Sequence, residues 1–126
     1  MKRPGSLSEV ARLADSSRTF HLLLSDFIDE FRAGRRAAML AEEPRRLGRV
    51  WERGDVADAY VAAVAVSLAR EIAEPPPRWA WDESRNLHQP WFAWPGAALR
   101  ATLLAESLAP FRERNLFVSA NALSRA

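Results

Sequence analysis

Cysteine is absent, which excludes disulfides, thiolate nucleophiles and cysteine-ligated zinc. Lysine is nearly absent: of 18 basic residues all but Lys2 are arginine. Alanine is abundant alongside them, and this pairing is first of all the composition of a GC-rich genome. Only two histidines occur, His21 and His88, and they fall on different predicted elements. Neither has the nearby nucleophile and orienting partner that general-base catalysis needs. There is no Gly-x-Ser-x-Gly elbow and no phosphate loop. No apolar h-region follows the basic residues 1–5. No run approaches the roughly 18 apolar residues of a membrane helix, the longest candidate, 56–69, being interrupted by Asp58. These absences predict a cytoplasmic protein without membrane contact, without cofactor and without metal.

What remains is ordinary globular material. With 126 residues, 48% hydrophobic and 27% charged, the chain is sized for one domain over 1–126 with its own core. The net charge of +2 is too small to make the whole surface a nucleic-acid footprint, although the pI is about 9.9.

Apolar periodicity predicts an all-α fold, a compact domain of about four main helices with one long Trp/Pro-rich connection. Ser6 with Glu9 has capping-box spacing and opens a short helix over 6–14. Ser16 or Ser17 caps a second, in which Phe20, Leu23, Leu24, Phe27, Ile28 and Phe31 form the clearest helical stripe in the chain. The good helix formers Ala37 to Leu40 extend that expectation to Glu43, before Pro44. Residues 44–53 can hold a turn or two of helix around Leu47, Val50 and Trp51. Asp55 is the expected N-cap of a third helix ending near Ala73, with Asp58 placed to favour the helix dipole. A fourth helix is expected over 97–109, with Leu99, Leu103, Leu104 and Leu108 inward. The tail after Pro110 is too apolar to be free, and is expected to dock through residues such as Phe117 and Leu123.

Four groups of residues could carry function. The stretch from Glu9 to Thr19 has the outline of a helix-turn-helix, but Asp15 stands at the usual turn glycine and an aromatic stripe follows. Asp26, Asp29 and Glu30 share one helical side, which fits a solvated, salt-bridged face better than a metal site. Arg35, Arg36, Arg45, Arg46, Arg49 and Arg53 form a basic stretch that could meet an acidic protein or RNA. The most unusual group is Trp79, Trp81, Trp91, Phe92 and Trp94, interleaved with Arg78 and Arg85 within one proline-bounded connection. Indoles and guanidinium groups are the side chains that anchor interfaces. The expected partner-binding residues are therefore Arg78, Trp79, Trp81 and Arg85, with Trp91 and Trp94 assigned to holding the connection down.

Three stretches carry a family resemblance: Phe27-Ile28-Asp29-Glu30-Phe31, Pro90-Trp91-Phe92, and the tail from Phe111 to Leu123. Together they resemble small bacterial antitoxin-like proteins encoded beside nucleotidyltransferase-like toxins. The resemblance runs from about Phe20 onward and brings no catalytic residues with it. It implies a non-enzymatic protein that binds and neutralises or regulates a protein partner such as a nucleotidyltransferase-like toxin. The alternative is a DNA- or RNA-binding regulator using the N-terminal helices or the basic stretch from Arg35 to Arg53.

Overall fold

The computed structural model of the chain describes residues 3–94 and 96–123. Lys2, Pro95 within the Trp-rich connection, and residues 124–126 of the apolar tail lie outside the described residues. The fold is all-α. Four helices of seven or more residues, α1 (Leu7–Leu13), α2 (Ser17–Gly34), α4 (Gly54–Glu71) and α5 (Ala97–Glu106), are joined by the single turns α3 (Ala38–Ala41) and α6 (Ala109–Arg112). Two dipeptide strands, β1 (Trp91–Phe92) and β2 (Leu116–Phe117), pair in parallel, Trp91 opposite Leu116 and Phe92 opposite Phe117. Among the described residues no helix is long and apolar enough to cross a membrane.

Helix starts follow from local chemistry. Ser6 Oγ accepts the Glu9 N–H, and Glu9 returns a carboxylate oxygen to the Gly5 N–H at 2.7 Å. Ser16 and Thr19 close a reciprocal capping box on α2. The α2 stripe buries Phe20, Leu24, Phe27, Ile28 and Phe31.

The second helix stops at Gly34, well short of Glu43. Arg35 takes the left-handed conformation (φ 52°) and donates its N–H back to Phe31. An uninterrupted helix would carry Leu40 to the side opposite Phe31, whereas the break lets α3 bury both Met39 and Leu40. Residues 44–53 form turns rather than helix, with Leu47 fully buried. Asp55 is not the cap of α4: Arg53, at φ 62°, is the N-cap and Gly54 the first helical residue.

The core is built around α4, of whose 18 residues 14 are buried. Alanines at 57, 59, 62, 63, 65 and 69 let α6, the 3-10 turn Arg78–Trp81 and β2 approach its axis. Arg32 ties three elements together: it forks onto Glu71 at 3.2 and 2.9 Å and donates to the Leu123 carbonyl at 2.6 Å. The apolar tail docks as its composition demands, with Leu116, Val118 and Leu123 buried and Phe117 half-buried.

Candidate partner-binding surface

The Trp-rich connection carries both packed and exposed side chains in each of its two parts. Its first part folds as two 3-10 turns, Arg78–Trp81 and Glu83–Arg85. Pro77 precedes them in extended backbone, and Asp82 caps the second by accepting the Ser84 N–H. That N–H, together with the Ser84 hydroxyl, holds the Asp82 carboxyl below the usual aspartate range. Trp79 lies half-buried against the core and donates its indole N–H to the Leu40 carbonyl at 3.0 Å. Arg85 lies within the fold at 1% exposure. Its guanidinium donates to the carbonyls of Pro44 (2.6 Å) and Asp58 (3.4 Å) and to the Glu43 carboxylate (3.0 Å), and it stacks 5.0 Å from the Trp79 ring centroid. Burial pulls this guanidinium below its usual range and Glu43 pulls it back up; it stays charged at neutral pH.

Of the four residues expected to face a partner, two are thus internal. Arg85 cannot reach a partner surface, and Trp79 spends its polar end on Leu40. Arg78 and Trp81 are exposed, Trp81 at 49%. The Trp81 ring is backed by Arg114, itself buried, whose guanidinium lies 5.5 Å from the ring centroid and donates to the Ala80 and Pro110 carbonyls at 2.7 and 2.8 Å. A stack on one face with solvent on the other leaves Trp81 a rigid, partly open apolar plate.

The second half reverses another expectation. Trp91 packs against the core, but Trp94 is exposed. Trp94 forms, with Leu99, Thr102, Leu103, Glu106 and Ser119, a shallow groove of about 280 Å³. Leu99 and Leu104, expected inward, are exposed; among the described side chains of α5 only Leu103 is buried. The helix Ala-Ala-Leu-Arg-Ala-Thr-Leu-Leu-Ala-Glu is apolar on nearly every side. A helix of that kind belongs inside a structure or against another molecule. Two features keep α5 at the surface. Arg100 stacks on Phe92, 5.0 Å from its centroid, and Ser107 ends the helix by donating to the Leu103 carbonyl while accepting the Val118 N–H. The strand pair holds the chain on both sides of the helix, and Phe92 stacks on Phe117 at 5.0 Å.

All six arginines of the basic stretch are exposed, and four of them also bond within the chain. Arg35 donates to the Glu71 carbonyl, and Arg45 to the carbonyls of Ala11, Arg12 and Ala14, where it closes the C-terminal end of α1. Arg46 pairs with Glu43 and Asp82, and Arg53 with Asp55. Arg36 and Arg49 are exposed as the other four are. At the N-terminal corner, Leu13 and Leu22 are exposed where a base-reading helix carries polar side chains. The buried carboxylate of Asp58, expected to serve the helix dipole, instead accepts the Leu47 N–H at 2.6 Å and the Gly48 N–H at 3.1 Å. Burial raises its carboxyl above the usual range against the pull of those N–H groups and of Arg85. Among the described residues no group of three or more His, Cys, Asp or Glu could hold a metal ion.

Comparison with protein families, with characterised proteins and with solved structures returns no match.

Proposed function

We propose that this chain is a non-enzymatic, antitoxin-like protein that binds a protein encoded beside it and neutralises or regulates it by covering part of its surface. The observation that carries this reading is α5, an apolar helix presented to solvent with Trp94 at its side. Covering Leu99 and Trp94 removes apolar area from water at a groove already shaped to receive a side chain. Arg78 and Trp81 supply a second anchor of the type enriched in interface hot spots. The nucleic-acid reading has less support, because Arg35, Arg45, Arg46 and Arg53, though exposed, already bond within the chain.

The test is co-purification with the product of the adjacent gene, followed by titration with the Leu99→Glu and Trp81→Ala variants. A centrally placed anchor lost from an interface costs about 2 kcal/mol or more, roughly a thirtyfold rise in Kd. Leu99→Glu should exceed that, since it also buries a charge. No complex with any neighbouring product, together with salt-sensitive DNA retardation by the isolated chain, overturns the reading in favour of a nucleic-acid regulator.

A further inference from the structure

We propose that the outer side of α2 is a self-association face, on which a second copy of this chain docks antiparallel. The face lies away from the residues used for the partner above and rests on its own observations. Leu22 projects from α2 with 58% of its surface exposed, and Leu13 at the end of α1 is exposed beside it. Together with Asp15, Thr19, Leu23 and Asp26 they line an open groove of about 390 Å³.

The occupant is indicated by charge. Arg18, Leu22 and Asp26 are spaced i, i+4, i+8 and run along one side of the helix. The cation lies one turn before the leucine and the carboxylate one turn after it, about 12 Å apart along the axis. Reversing the helix exchanges the two charges, so the stripe complements itself about a two-fold axis at Leu22. Each Leu22 then enters the other chain's Leu13–Leu23 groove, and each Arg18 meets the partner's Asp26, with Asp29 three residues further along within reach. Asp26 and Asp29 also interact within their own chain, and a carboxylate accepts several donors. Asp15 accepts the Thr19 hydroxyl at 2.8 Å.

Arg18 gives independent support. It lies in the first turn of α2, where a cation opposes the helix dipole. It is exposed and makes no hydrogen bond or ion pair with a described residue. Among the described residues nothing pairs with this arginine, whereas a carboxylate from a reversed second copy does.

Sedimentation equilibrium of the full chain, from about 1 μM to about 1 mM, reads the association directly. The expected result is a concentration-dependent monomer–dimer equilibrium. Arg18→Glu should weaken it at least about tenfold, since each dimer loses two attractive pairs and gains two repulsive ones. Leu22→Glu should abolish it. Arg18→Glu combined with Asp26→Arg should restore it, because the reversed charges again face each other. Circular dichroism checks that each variant is folded; Arg18 and Leu22 are exposed, so neither substitution removes a core contact. A chain monomeric throughout the range, a dimer indifferent to both single substitutions at Arg18 and Leu22, or a folded double reversal no better than Arg18→Glu overturns the proposal.

Discussion

Two buried polar side chains and one glycine set the geometry of the chain between α3 and α4. Asp58 satisfies the Leu47 and Gly48 N–H groups from within a helix. Asp58→Ala leaves a buried donor without a partner and should cost about 1–3 kcal/mol, measured by urea unfolding. Arg85 completes the same knot from the other side, joining α4 to Glu43 and Pro44. Gly54 is where the two segments touch: a Cβ there would stand 1.8 Å from the Leu47 carbonyl oxygen. Because the obstacle is backbone, Gly54→Ala should cost about 3 kcal/mol, well above the effect of an exposed substitution such as Arg49→Ala. None of this was legible in the sequence. Asp58 and Arg85 are ordinary charged residues 27 positions apart, and only the folded chain puts the Asp58 carbonyl against the guanidinium.

Elements were legible where their periodicity was strong and hidden where contact at a distance decides. The α2 stripe and the apolar α4 declared themselves through spacing, caps and length. The break falls at Gly34, the weakest helix former of the stretch, and it lets Met39 and Leu40 both be buried, which the good formers after it did not announce. The inward assignment of Leu99 and Leu104 went wrong for the opposite reason. A helix apolar on all sides has no stripe to say which side faces the core, and α5 has room for only Leu103. Trp79 and Trp94 exchanged roles because proximity to proline says little about which indole finds a carbonyl. At this scale the contrast between core and surface leucines is measurable. Leu103→Ala should lower stability by about 2–5 kcal/mol, whereas Leu99→Glu should change it by less than about 0.5 kcal/mol, both by thermal or chemical unfolding. The tail behaves as an element too, and Leu116→Ala, at a fully buried strand position, should fall in the same 2–5 kcal/mol range of about that size.

Across the whole molecule, α4 supplies the surface on which α2, α6, the first 3-10 turn and β2 are assembled. Phe27→Ala and Leu68→Ala remove fully buried side chains from one continuous core. They should cost about 3–5 and about 2–5 kcal/mol respectively, with far-UV and tryptophan signals still changing together on denaturation. The parallel pairing of β1 with β2 gives that assembly a further property. The chain leaves the pair at Phe92, passes through α5 and α6, and returns to it at Leu116. Covalent continuity across exposed α5 is therefore not what keeps the C-terminal segment in place. The backbone bonds from Trp91 to Asn115 and from Ala93 to Phe117, the Arg114–Ala80 bond and the buried Leu116 do that. A chain nicked once within α5 should travel through a sizing column as one particle, and two separately produced fragments divided there should reconstitute it on mixing.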